Sequence, residues 1–199
     1  MSLVVVGSSH VSKLESAMHR LYSEGGQPVR ARCIPHDTLF YGVSGMTLRE
    51  FNAAESPQSS QVKRSLEQSS SKRVVLIAGG NDLDREEGVE WESVVKSFIT
   101  AIEWLSIRFD SVLVVRLFNR TYPRSGNRSW HFKYPGRSDY NVLSSLVNNS
   151  LLNTKWSGNV YICRHIKLTH RDLPDGVHLN DSALRKLLSN ISRGLSALE

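Results

Sequence analysis

The stretch Leu3-Val4-Val5-Val6-Gly7-Ser8-Ser9-His10 decides the fold class. Its four consecutive apolar residues predict a strand buried on both faces, because a strand with one wet face would alternate apolar and polar positions. Residues 11–23 follow, with Val11, Leu14, Met18 and Leu21 at the spacing of one helix face. The same alternation recurs along the chain. Residues 74–78, 112–117 and 160–163 are short apolar runs bounded by polar residues, and each predicts a buried strand. A further strand is expected over 29–34, where apolar positions alternate with Arg30 and Arg32. Helical spacing returns over 91–109, carried by Val94, Val95, Phe98, Ile102 and Leu105, and again over 140–152 and 182–198. Strands alternating with helices predict an α/β fold with a parallel sheet covered on both sides.

Between these elements, residues 55–71 are rich in serine and glutamine and read as a surface helix or a loop. Residues 122–138 hold Pro123, Gly126, Pro135 and Gly136 and read as a long loop, a class often tied to function. No repeat or linker divides the chain, so one domain over 1–199 is expected.

Composition narrows the function classes. The chain has 199 residues, 40% of them apolar, which suffices for a core and argues against wholesale disorder. No apolar run approaches the roughly 18 residues of a membrane span. Residues 1–7 lack a positively charged leader, so a cytoplasmic setting without a signal peptide is expected. Cys33 and Cys163 make no disulfide framework, which fits a reducing compartment. Because the chain opens directly on a strand, it is expected to be a domain of a longer protein.

The chemistry gathers at strand ends. Gly7-Ser8-Ser9-His10 follows the first run, and Gly79-Gly80-Asn81-Asp82 follows the run 74–78. Asp175-Gly176-Val177-His178-Leu179-Asn180 precedes the last helix. In open α/β sheets, ligands collect at the carboxyl ends of strands where the strand order reverses. With the doubly wound order 2-1-3-4-5, Ser9 and Asn81 face each other across that crevice. A serine nucleophile needs a positioned base, and the base needs a group that orients it. Asp175 and His178, three residues apart, suit those two tasks. The oxyanion of a tetrahedral intermediate needs aimed donors. The backbone N–H of Ser9, the Asn81 carboxamide and the backbone N–H of Gly45 are the candidates.

These blocks, in this order, resemble the SGNH (GDSL-like) hydrolase superfamily of esterases and lipases. Gly7–Ser9 matches its Gly-x-Ser, Gly45 its oxyanion glycine, Gly79–Asp82 its Gly-x-Asn-Asp, and Asp175–His178 its Asp-x-x-His. The resemblance implies a three-layer α/β/α sandwich with a five-stranded parallel sheet of flavodoxin-like order 2-1-3-4-5. It implies a serine esterase acting through an acyl-enzyme on short acyl or lipid esters, without metal or organic cofactor. Ser9 is then the nucleophile, His178 the base and Asp175 its orienter, with Ser9, Gly45 and Asn81 forming the oxyanion hole. Two positions depart from the family: Ser8 stands where aspartate is usual, and His10 where leucine is usual. Gly-Ser-Ser-His-Val, Tyr140-Asn141 and Asp-Gly-Val-His-Leu-Asn together look most like the esterase domains of first open-reading-frame proteins of non-LTR retrotransposons.

Plainer readings compete. Ser9 could cap a helix, Gly-Gly-Asn-Asp could be only a turn, and Pro174-Asp175-Gly176 could be a turn beside a surface histidine. Ser8 competes with Ser9, while Asp172 and His170 are an alternative acid and base. His10 reads as a helix-start residue near the crevice. Seven histidines without paired spacing offer no metal site. Asp82, Asp84, Glu86, Glu87, Glu90 and Glu92 read as a solvated loop and helix start.

The net charge of +6 is uneven. Residues 111–171 hold ten Lys or Arg and one acid, Asp139, for +9, which leaves −3 elsewhere. Phe118, Tyr122, Trp130, Phe132 and Tyr134 interleave with Arg120, Arg124, Arg128, Lys133 and Arg137. That mixture could bind RNA by stacking and phosphate pairing, or meet an anionic membrane surface. It could equally be a solvated loop or a lid over the crevice. An RNA-binding module of a retroelement protein is therefore the alternative to an esterase.

Overall fold

The computed structural model describes residues 2–23, 34–35, 37–53, 56–85, 89–120, 139–169, 171–175 and 177–198. The strands are β1 (Leu3–Gly7), β2 (Leu39–Gly42), β3 (Arg73–Ile77), β4 (Ser111–Val114) and β5 (Val160–Ile162). The helices are α1 (Ser9–Ser23), α2 (Leu48–Ala53), α3 (Pro57–Glu67), α4 (Gly80–Arg85), α5 (Trp91–Ser106), α6 (Tyr140–Asn153) and α7 (Asp181–Ser196). The five strands form one sheet in the order β2-β1-β3-β4-β5, parallel throughout. Val5 pairs with Phe40 on one side and Val75 on the other, and Leu113 pairs with Val75 and Tyr161.

The strand pleat sorts the apolar runs into two cores. Leu3, Val5, Val75, Ile77 and Leu113 pack with Val11 and Leu14 of α1 and Leu184, Leu187 and Ile191 of α7. Val4, Val6, Val74, Leu76 and Val112 point the other way, toward Phe51 of α2, Val62 of α3, Phe98 and Ile102 of α5, and Val147 and Leu151 of α6. Every residue of β1 and β3 is buried, which is why these runs never alternate.

The edge strand beside β1 is not where the sequence suggested. That place belongs to β2, while 29–33 lies outside the described residues and Ile34 is buried but in no strand. The reason is physical. An edge strand needs only a partly apolar face, and Leu39-Phe40-Tyr41-Gly42 is short and half-exposed. The serine-rich segment resolves as helix α3, opened by Pro57 and capped by the Ser56 hydroxyl, which accepts from the Ser59 N–H. The run over 112–117 leaves the sheet after Val114, yet stays apolar because Val115, Leu117 and Phe118 remain buried. The expected long loop over 122–138 lies outside the described residues.

Candidate active site

At the carboxyl end of β1, Gly7 adopts φ +153°, and a Cβ there would sit 1.9 Å from the Ile77 carbonyl oxygen of β3. Only glycine allows β1 and β3 to converge this closely. Ser8 follows, its N–H donating to Ile77 O at 3.1 Å, and α1 starts at Ser9. The N–H groups of a first helical turn have no intrahelical acceptor, so that of Ser9 is available to a ligand.

Ser9 and His178, far apart in sequence, meet here. Ser9 Oγ lies 3.4 Å from His178 Nε2, at the long end of hydrogen-bond reach and within what a substrate-free site shows. On the far side of the ring, His178 Nδ1 is 2.6 Å from Asp175 Oδ2. A carboxylate can only accept, so the proton sits on Nδ1 and leaves the Nε2 lone pair facing the serine. Asp175 is itself held: its Oδ1 accepts from the backbone N–H of His178 at 2.6 Å and of Val177 at 3.0 Å. Burial alone would raise the Asp175 carboxyl. Hydrogen bonds from the His178 backbone and ring and from Val177 outweigh it and hold the group below its ordinary value. The alternative acid, Asp172, is occupied elsewhere by Lys186 and Thr169, and His170 lies outside the described residues.

Gly45 occupies a tight turn, with φ +77° and a Met46 N–H to Val43 O bond of 3.2 Å. That bond leaves the Gly45 N–H outside the turn's own hydrogen bonding. Asn81 stands in the first turn of α4, and its Nδ2 donates to Met46 O at 3.0 Å, leaving the second amide proton for another acceptor. Ser9, Gly45, Asn81 and His178 line one cavity of about 190 Å³, together with the apolar Ile77, Ala78, Val115, Leu117 and Phe118.

Two acidic positions expected to be solvated are enclosed instead. Asp82 is buried rather than solvated. Its carboxylate accepts from the Leu48 N–H at 2.9 Å and the Arg49 N–H at 3.3 Å, so it caps α2 and ties Asn81's helix to the Gly45 turn. Burial pushes this carboxyl up to about 6, against the pull of those backbone bonds. Asp84 is likewise enclosed, in an ion pair with Arg120. Glu90 and Glu92 are exposed as expected, and Glu86 and Glu87 lie outside the described residues.

Arg120 therefore departs from the expectation of a basic loop open to phosphates. Its guanidinium is almost enclosed, stacks 4.4 Å over the Tyr140 ring and donates to Gly80 O at 3.3 Å. The other candidates of that group, Arg124, Arg128, Lys133 and Arg137, lie outside the described residues, as does Cys33. Cys163 is a free, buried thiol pushed up to about 12 by burial. His10 lines the cavity, its ring 5.8 Å from that of His178 and edge-on to Phe118. Burial, helped by the charges of His178, Arg120 and Lys13, lowers it to about 3, so it stays neutral and does not compete for the proton His178 would carry.

Among solved structures, the chain is similar to a GDSL-like lipase from Bacteroides thetaiotaomicron, with TM-score 0.63 and 12% identity over 100% of this chain and 89% of that one. It is similar to a carbohydrate acetylesterase family member from Sinorhizobium meliloti, with TM-score 0.61 and 13% identity over 99% and 96%. It is also similar to an acetylxylan esterase from Geobacillus stearothermophilus, with TM-score 0.56 and 12% identity over 98% and 93%. At these identities the likeness is one of fold. No protein-family model and no curated protein matches the sequence.

Proposed function

We propose that the chain is a serine esterase of the SGNH (GDSL-like) type that cleaves short-chain carboxylic esters. The observation that carries this reading is the unbroken relay from Ser9 Oγ through the His178 ring to Asp175, at 3.4 and 2.6 Å, in a crevice between β1 and β3. The shared fold of the lipase and the two esterases supports it.

In the proposed reaction, Ser9 Oγ attacks the ester carbonyl while His178 Nε2 takes its proton. Asp175 accepts the Nδ1–H and stabilises the imidazolium. The tetrahedral oxyanion receives the N–H groups of Ser9 and Gly45 and the Asn81 amide, which need no rearrangement at the moment of reaction. His178 then returns the proton to the leaving alkoxide. A water activated by the same ring hydrolyses the acyl-enzyme and restores Ser9.

The cavity is smaller than the roughly 300–1,000 Å³ that drug-sized ligands occupy, which favours a short acyl group over a long lipid chain. The resemblance to retrotransposon esterase domains rests on the sequence blocks around Ser9, Tyr140 and His178 alone. The test is hydrolysis of 4-nitrophenyl acetate and butyrate. Wild type turns both over, and Ser9→Ala lowers kcat by at least about 10³. An inactive wild type, or an unchanged Ser9→Ala variant, overturns the proposal.

A further inference from the structure

Tyr140-Asn141 stands apart in sequence from the residues of the relay, and the proposed reaction gives it no task. Its contacts do. The Asn141 carboxamide holds the backbone of Arg120 from both sides: Oδ1 accepts from the Arg120 N–H at 2.8 Å, and Nδ2 donates to the Arg120 carbonyl at 2.9 Å. The Tyr140 ring, buried at the start of α6, stacks 4.4 Å from the guanidinium. Backbone and head group are both seated on α6, so a side chain rich in rotamers keeps few of them.

From that seat the guanidinium reaches α4 at two points. Nη2 donates to Gly80 O at 3.3 Å, and Nη1 pairs with the Asp84 carboxylate. Only 11% of the Arg120 side chain and 8% of the Asp84 side chain are exposed, so solvent screens this pair weakly. Gly80 is packed so closely that a Cβ on it would stand 3.2 Å from the Tyr140 hydroxyl and 3.3 Å from Arg120 Nη2. Asn81 is the next residue.

Helix α4 needs such a hold. It has six residues, too few to be stable through its own hydrogen bonds, so outside ties set its position. Asp82 supplies the tie to α2 through the Leu48 and Arg49 amides, and Leu83 is sunk in the core. Arg120 supplies the tie to α6. We propose that Arg120 is a positioning residue of the oxyanion hole: seated by Tyr140 and Asn141, it fixes the start of α4 and so aims the Asn81 amide. The proposal rests on the esterase reading for what Asn81 does, and on the geometry alone for what Arg120 does to Asn81.

The experiment reads these two separately. In proton–nitrogen correlation spectra, the side-chain amide signals of Asn81 are assigned by their absence from Asn81→Ala. Arg120→Lys keeps a charge beside Asp84 but loses the planar fork and stack. It is expected to shift or broaden the Asn81 signals while the backbone amides of Val5 and Val75 in the sheet stay in place. In kinetics, Arg120→Lys is expected to lower kcat on 4-nitrophenyl acetate about 10–100-fold, the order of cost of a misplaced catalytic group, with KM changed less than about threefold. In Asn81→Ala the same substitution is expected to cost only about twofold more, because the group it aims is gone. A general weakening of the fold would instead multiply through both backgrounds alike. Asn141→Ala frees the Arg120 backbone without touching its charge, is expected to give the same pattern, and carries the test if a thermal melt shows Arg120→Lys unfolded. Asn81 signals that stay in place in the folded variants overturn the proposal, as do equal losses of kcat with and without Asn81. A wild type inactive on 4-nitrophenyl acetate removes the esterase reading instead, and the spectra alone then decide whether Arg120 orders Asn81.

Discussion

Replacing Asp82 by asparagine separates the charge of this residue from its hydrogen bonds. The carboxyl ionises near 6 in the fold against an ordinary 3.8, because burial outweighs the backbone bonds from Leu48 and Arg49. Each pH unit between the two values is worth about 1.36 kcal/mol, so the full linkage is about 3 kcal/mol. The sign follows from which state binds the proton more tightly. Below 3.8 both folded and unfolded chains hold it, and the contribution to stability is fully present. As pH rises toward 6 the unfolded chain releases its proton first, and that stability is lost. About 2 kcal/mol of the loss falls between pH 4 and pH 7. Asparagine keeps an acceptor for the Leu48 N–H and removes the titration. In urea denaturation at pH 4, 5, 6 and 7, the stability of wild type minus that of Asp82→Asn is expected to decline by about 2 kcal/mol across the series. A difference that does not move with pH would refute the assignment of Asp82 as a buried, strained charge.

Asn81→Ala removes one oxyanion donor and is expected to lower kcat on 4-nitrophenyl acetate by about 10²–10³, with a smaller effect on KM. Gly7→Ala places a methyl group against the Ile77 carbonyl, at a φ that other residues rarely adopt. It is expected to cost about 1–3 kcal/mol, seen as a fall of roughly 2–10 °C in the thermal midpoint. We also propose that the basic segment 111–171 contacts RNA. Neutralising Arg124 and Arg128 together is then expected to reduce the slope of log affinity against log salt by about 1.4 for single-stranded RNA, and no binding of the wild type at low salt removes that partner.

The fold was readable wherever burial is uniform. The valine-rich runs of β1 and β3 are enclosed on both sides, so their composition alone marks them. The edge strand at Leu39–Gly42 was missed because Leu39, 44% exposed, and its neighbours carry no such signature. The site divides in the same way. Ser9, Gly45, Asn81, Asp175 and His178 sit in short blocks whose spacing is local. The burial of Asp82 and Asp84 is not, because it depends on Leu48 and Arg120, more than thirty residues away in either direction. From sequence, a run of acids beside a helix start gives no sign that two of them point inward. The one available signal was the pair Asn81-Asp82 directly after two glycines, which puts a second carbonyl-type side chain at the same strand end.

The contact between Asp82 and the Leu48 amide has a practical consequence. Asn81 and the Gly45 turn supply two of the proposed donors from segments remote in sequence, yet adjacent side chains of α4 hold the C-terminal side of that turn, at Met46 O and at Leu48 N. The two donors are thereby tied to each other through two hydrogen bonds. The Leu48 amide proton, which no substrate would touch, becomes a reporter of that tie. Its hydrogen-exchange rate measures how often the half of the oxyanion hole built on Gly45 comes apart, in the resting protein and without any ester present.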